Sequence, residues 1–276
     1  MASAKKKTPY DIVSVLILAV LAVLFMFPLY WIITGSLKTA QQINAAAPEW
    51  FPLTVTLDNY VRLFKQPSLL WLLNTVIMAV SAMALTCFTA ALAGYVLAKK
   101  RFIGRNAIFT LMVCAMALPK QVILIPLLKE MSVLGIHNTL LAVILPTVGW
   151  PFGVFLIKQF SEGIPTELLE AARIDGAGEW KTFISVALPI IKPGIGALAI
   201  FTFISSWNDY FLQLIMLNSK TKLTISLGIA KMQAEMATDY GIIMAGAALA
   251  SVPIIIVFLA FQKYFTQGIT MGAVKG

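Results

Sequence analysis

The side chains of this 276-residue sequence that could do chemistry fall mainly into two groups. The first is Ser205, Ser206, Trp207, Asn208, Asp209 and Tyr210, set within an apolar run. Ser205, Asp209 and Gln213 recur every four residues, which on a helix places them in one stripe. A carboxylate facing lipid costs at least about 2.5–3.5 kcal/mol at mid-bilayer, so Asp209 has to face a bundle interior, a watery path or the outer boundary. Two roles fit Ser205, Asn208, Asp209 and Gln213: the wall of a polar solute pathway, or interhelical hydrogen bonds that hold a bundle together. The second group is the polar stretch from Glu167 to Pro193. Within it, Gly176 to Thr182 reads GAGEWKT, which superficially suggests a phosphate-binding loop. That pattern needs glycine directly before the lysine, where Trp180 stands, so the chain is not expected to hydrolyse ATP. No H-E-x-x-H, no G-x-S-x-G and no cysteine–histidine cluster occurs, and the one histidine, His137, falls in a boundary link. Neither a catalytic residue nor a metal site is expected.

The elements that must hold these groups are membrane spans. Hydrophobic residues make up 59% of the chain and charged residues only 12%, against about 25% charged in soluble domains. Apolar runs long enough to cross a bilayer, which takes about 20 residues, are Ile12–Ile33, Leu69–Ala98, a third from Ala107 past Leu118, Thr139–Phe160, Gly194–Leu217 and Gly241–Phe265. Pro119 and Pro126 interrupt the third; Pro146 and Pro151 mark kinks in the fourth. Residues 38–66 and the loop from Asn218 to Tyr240 are polar, and Trp50, Phe51 and Tyr60 suit the membrane–water boundary. Cys87 and Cys114 lie in apolar runs and read as packing residues.

A net charge of +9 raises nucleic-acid binding as a possibility, but its placement follows membrane topology. Lys5–Lys7, Lys99, Lys100, Arg101, Arg105 and Lys263 fall on the side reached by both termini, which the positive-inside rule makes cytoplasmic. The stretch around Glu167 breaks the pattern: Glu162, Glu167, Glu170, Asp175 and Glu179 outnumber Lys158, Arg173, Lys181 and Lys192. Topology alone does not ask for so acidic an inner segment; a docking partner does.

That segment reads as a helix–turn–helix over about 161–193. Pro165 opens a helix, Leu168, Leu169, Ala171 and Ala172 give it an apolar face, Asp175-Gly176 turns, and a short second helix carrying Trp180, Phe183 and Ile184 stops near Leu188-Pro189. Glu170, Ala171, Ala172, Gly176, Leu188 and Pro189 also resemble the EAA motif of binding-protein-dependent ABC importers, with Val186 where isoleucine is usual. The resemblance implies that this is the coupling loop, docking into a cleft on a cytoplasmic ATPase. The W-N-D stretch at Trp207–Asp209, the Leu118-Pro119 and Ile125-Pro126 pairs and Leu134-Gly135…Asn138-Thr139 are similar to the carbohydrate branch of these permeases. The tail, Gln267 to Gly276, resembles the end of the maltose-type smaller permease, which reaches between two ATPase subunits. That resemblance gives Gly268, Gly272 and Gly276 a contact there. Three glycines in ten residues leave the tail without a stable helix of its own, ordered only by such a partner.

The expectation is a single all-α, polytopic permease domain over residues 1–276: six transmembrane helices, a cytoplasmic coupling loop and tail, and both termini cytoplasmic. The resemblance implies a type I ABC importer permease of a bacterial or archaeal cytoplasmic membrane, carrying a sugar or oligosaccharide. Its partners would be a homologous second permease, two copies of an ATPase holding ATP and magnesium, and an extracytoplasmic solute-binding protein. No cofactor is expected in this chain. An ion-coupled secondary transporter and a structural membrane subunit are the alternatives; Asp209 is the one clear intramembrane acid the former would need.

Overall fold

The computed structural model describes residues 9–235 and 239–273, and every regular element among them is helical. Fourteen α-helices follow in chain order: α1 (Pro9–Ser36), α2 (Ala40–Ile43), α3 (Asp58–Phe64), α4 (Ser68–Lys99), α5 (Arg105–Met116), α6 (Lys120–Val133), α7 (Leu141–Val148), α8 (Phe152–Glu162), α9 (Thr166–Ile174), α10 (Glu179–Thr182), α11 (Leu188–Asn208), α12 (Tyr210–Met216), α13 (Ile225–Glu235) and α14 (Tyr240–Ala273). A π-helical turn, Phe183–Ala187, joins α10 to α11, and a 3-10 turn, Lys220–Lys222, precedes α13. Five described helical stretches are long and apolar enough to cross a membrane, and six if α5 and α6, bent by 106°, count as one. The multi-pass architecture is therefore the expected one.

The helices form two compact units. The first holds residues up to 68 and 229–251. Its polar centre is Asn59, whose amide donates to the carbonyls of Ser36 (2.9 Å) and Lys38 (2.8 Å). Buried Lys38 lies 4.4 Å over the Trp31 ring and donates to the Glu49 carbonyl. Arg62 pairs with Asp58 at 2.9 Å and with Asp239. Asn59 and Lys38 thus find partners inside the unit, as burial requires. The polar segment 38–66 contains α2, started by a reciprocal Thr39–Gln42 capping box, and α3, neither of which its composition announced.

The second unit, residues 69–228 and from 252 on, carries both candidate groups. Its core packs Ala90, Ala91 and Tyr95 of α4 against Ile157 of α8, Leu169 of α9, Phe183 and Ala187 of the π turn, and Ile191 and Leu198 of α11.

Several sequence expectations are corrected here. The second helix of the acidic segment does not stop at Leu188-Pro189: the chain stays helical from Glu179 to Asn208. The π turn supplies the reason. Its i→i−5 pairing, seen where the Leu188 N–H meets the Phe183 carbonyl, widens the helix just before Pro189. That relieves the clash a proline ring makes with the carbonyl four residues back. The fifth span is in turn broken at Asp209, which leaves helical geometry at φ −76°, ψ 70°. Residues 225–235 of the expected polar loop form α13, with Ile225, Leu227 and Met232 buried. Gly268 and Gly272 lie inside α14, so the tail is helical to Ala273; Gly276 lies outside the described residues. A glycine costs a helix interior about 1 kcal/mol, but extending an existing 34-residue helix avoids the nucleation cost that a free ten-residue tail would face. Cys114 is exposed rather than packed.

Candidate functional site

The acidic helix–turn–helix segment is built around one turn. Pro165 caps α9, and α9 ends at Asp175. Gly176 follows at φ +75°, in the left-handed region that favours glycine. Its N–H donates to the Arg173 carbonyl (3.0 Å) and the Ala177 N–H to the Ala172 carbonyl (2.9 Å), the two bonds of a Schellman cap. The apolar face expected of α9 is divided. Leu169 is buried and Ala172 half-buried, whereas Leu168, Ala171 and Ile174 are exposed, Ile174 at 87%. The division follows helical geometry: 168, 171 and 174 step along one side at i+3 spacing, while 169 and 172 lie about 100° round the axis. Glu167 and Glu170 flank the exposed ridge, and Trp180 is exposed beside it in sequence on α10. Leu188 is half-buried and Pro189 exposed, both inside the helix that continues into the membrane.

Basic residues at the end of α4 tie this segment down. Lys99 donates to the Glu162 (3.2 Å) and Ile164 (2.6 Å) carbonyls. Lys100 pairs with Glu179, which also takes Arg173 at 3.1 Å. In the sequence, Lys99 and Lys100 follow from membrane topology alone. Their pairing with the acidic loop is tertiary, and the one available signal was the opposite charge of the two segments.

Ser205, Asp209 and Gln213 do not form a stripe, because the helix breaks at Asp209. Asn208 is exposed and donates back to the Ile204 carbonyl (3.0 Å); Ser205 is half-buried. Gln213 is fully buried, donates to the Ser206 carbonyl (2.9 Å), and its side-chain oxygen accepts from Thr224. It therefore splices the end of α11 to α12. Asp209 caps α12 through the Leu212 N–H (3.4 Å) and lies 3.9 Å from the Lys120 ammonium. Lys120 in turn sits 4.9 Å over the Trp150 ring. Lys120 and Trp150 were not candidates from sequence; each follows a disrupted helix end, and the Pro119 and Pro151 beside them were the only hint.

Comparison with known proteins agrees with this architecture. The sequence pattern of the binding-protein-dependent transport system inner membrane components matches residues 88–271, two thirds of the chain. The chain belongs to that family.

This permease component is 35% identical over 271 residues to the arabinooligosaccharides transport system permease protein AraQ of Bacillus subtilis (strain 168), covering 97% of this chain and 96% of AraQ. It is 33% identical over 278 residues to the lactose transport system permease protein LacG of Rhizobium radiobacter, covering both chains in full. A crystal structure of a bacterial ABC transporter involved in the import of the acidic polysaccharide alginate contains a chain with the same fold, at TM-score 0.81 and 22% identity, covering 95% of this chain and all of the other. The family is one of transport components rather than enzymes.

Gln213 offers a direct check on how the break in the permease is held. Replacing it with alanine frees the Ser206 carbonyl and Thr224 hydroxyl inside the protein, which costs about 1–3 kcal/mol per unsatisfied group. Gln213→Ala is expected to lower the melting temperature of the purified protein by several degrees. Gln213→Glu, which keeps the acceptor for Thr224, is expected to lose less in acid than at neutral pH. Equal melting of Gln213→Ala and wild type would show that the break is held elsewhere.

Proposed function

We propose that this permease component forms one half of the membrane pathway of an ATP-driven importer for a sugar or oligosaccharide. A homologous permease supplies the other half, two cytoplasmic ATPase copies bind ATP and magnesium, and an extracytoplasmic binding protein delivers the solute. Glu170, Ala171, Ala172 and Gly176 face the ATPase, and both termini are cytoplasmic. The observation that carries this reading is the exposed Leu168–Ala171–Ile174 ridge, flanked by Glu167 and Glu170, on a helix joined by the Gly176 turn to the helix that continues into a membrane span. An apolar ridge with a charged rim is the surface of a helix that docks in a groove. Because α10, the π turn and α11 form one rod, a push on α9 that passes through the Gly176 turn and the Arg173–Glu179 pair moves the span, which suits alternating access. The saccharide cargo is supported by relatives named for arabinooligosaccharide and lactose transport.

The test is uptake into proteoliposomes carrying both permeases and the ATPase. Lactose or arabinooligosaccharide uptake is expected to need ATP on the ATPase side and binding protein on the other. Uptake driven by a proton or sodium gradient without ATP would overturn the reading in favour of a secondary transporter. Removing residues 269–276 is expected to lower saccharide-stimulated ATP hydrolysis while insertion persists; unchanged hydrolysis would leave the chain end without a role toward the ATPase. In spheroplasts, Gln233→Cys on α13 is expected to react with an impermeant thiol reagent from outside. Reaction from the cytoplasmic side alone would invert the topology.

A further inference from the structure

Three helical interruptions in the second unit converge on one cleft. The α5–α6 bend at Pro119 presents Lys120 and Gln121, the α7–α8 break presents Thr147 and Trp150, and the α11–α12 break presents Asp209. The cleft holds about 70 Å³ and opens to its surroundings. It lies about 16–18 Å along α8 and α5 from their Glu162 and Arg105 ends, taking the 11 and 12 residues at about 1.5 Å each. That is about half of a hydrocarbon layer roughly 30 Å thick. Irregular backbone is tolerated at such depth only where it is buried in protein or lines a polar cavity.

We propose that this cleft is a saccharide contact point, meeting one edge of a sugar ring of the cargo as it crosses this half of the pathway. The inference rests on the proposed importer function and adds the residues that meet the solute. Its chemistry is that of a neutral, hydroxyl-rich ring rather than an ion. Lys120 and Asp209 cancel in charge, and at 3.9 Å they are too far apart to satisfy each other by a hydrogen bond. Among the described residues, the Lys120 ammonium meets only that carboxylate and the Trp150 face. A sugar hydroxyl both donates and accepts, so adjacent hydroxyls can bridge the carboxylate and the ammonium, with charge-assisted bonds on each side. The indole of Trp150 offers a flat apolar surface to the C–H groups of that edge, and Leu124, Leu127 and Phe211 line the remainder.

The experiment uses the complete transporter in nanodiscs with its binding protein, the permease carrying Cys87→Ser and Cys114→Ser. The probes are lactose and arabinooligosaccharides. With Gln121→Cys as the only thiol, saturating saccharide is expected to slow maleimide labelling at least about fivefold. In proteoliposomes, Trp150→Ala and Asp209→Asn are expected to reduce uptake at least about tenfold while saccharide-independent ATP hydrolysis stays within twofold. Trp150→Phe, which keeps an aromatic face, is expected to retain half or more of uptake. Should Trp150→Ala fail to assemble, the near-isosteric Asp209→Asn and the labelling arm decide. A wild-type transporter that moves saccharide, with labelling unchanged by it and Asp209→Asn fully active, would overturn the contact point alone. A wild type that moves neither saccharide would overturn the importer reading on which the contact point rests.

Discussion

Gly176→Val is expected to abolish coupling, with saccharide uptake falling at least about tenfold and ATP hydrolysis no longer responding to loaded binding protein. Gly176 sits at φ +75° with nothing within 4 Å of where a Cβ would project, so the cost is conformational and not a clash. A left-handed conformation costs an ordinary residue about 1–2 kcal/mol, and a β-branched residue there is a true outlier. Valine therefore moves the backbone, and with it the two cap bonds to Arg173 and Ala172. The turn also sets Glu179 against Arg173 and Lys100, so its loss detaches the exposed ridge of α9 from the rod that starts at Glu179. Gly178→Val is the control: Gly178 also has open space around it but lies at φ −66°, ψ 167°, extended backbone that valine favours. Uptake by Gly178→Val is expected to stay within twofold, and Gly176→Asn, able to adopt the left-handed region, to retain more than Gly176→Val. Equal losses in both valine variants would remove the special role of the Gly176 turn.

Gly228→Ala is expected to lower the melting temperature of the purified protein by about 6–12 °C. Its new methyl would lie 2.1 Å from Cε3 of Trp71. The ring cannot yield freely: Trp71 is 2% exposed, and its indole N–H donates to the Lys220 carbonyl at 2.7 Å. Overpacking at the upper end of its usual range costs about 3 kcal/mol, and a protein of this size loses about 2–4 °C per kcal/mol. The same contacts zip the segment before α13 onto α4. Asn74 donates to the Thr221 and Leu223 carbonyls, both at 2.9 Å, and the Ile225 N–H meets the Thr75 hydroxyl at 2.8 Å. Gly163→Ala, whose methyl would meet only the Phe160 carbonyl at 3.5 Å, is expected to melt within about 1 °C of wild type. Wild-type melting of Gly228→Ala would show that Trp71 has room to move.

The exposed sides of α1 show what remains for the membrane and partners to cover. Its most apolar 18-residue window has no buried residue within this chain. Burial elsewhere is internal and follows small residues: Gly94 faces the Lys158 backbone and Ile157, and Gly153 faces Thr86 and Ala90, so helices approach closely where a side chain is absent.

The sequence by itself determined the spans, because mean hydropathy over 18 or more residues needs no knowledge of neighbours. It determined the turn at Gly176 as well, because a left-handed C-cap is a local property that glycine announces. It also placed Glu170, Ala171 and Ala172 on one short helix that ends at the Gly176 turn. Only the tertiary structure decided what breaks and what continues. Pro189 reads as a stop, yet the π turn at Phe183–Ala187 absorbs it. Asp209 reads as one position of a helical stripe, yet the chain turns there because Gln213 can satisfy the Ser206 carbonyl and take the Thr224 hydroxyl. Those bonds join residues up to 11 apart, and the Trp71 and Asn74 bonds to the segment before α13 join residues nearly 150 apart. Periodicity reports only which face of an element is apolar. It carries no information on which distant carbonyl a buried amide will meet, so the meeting of Lys120, Trp150 and Asp209 could be known only once the helices were packed.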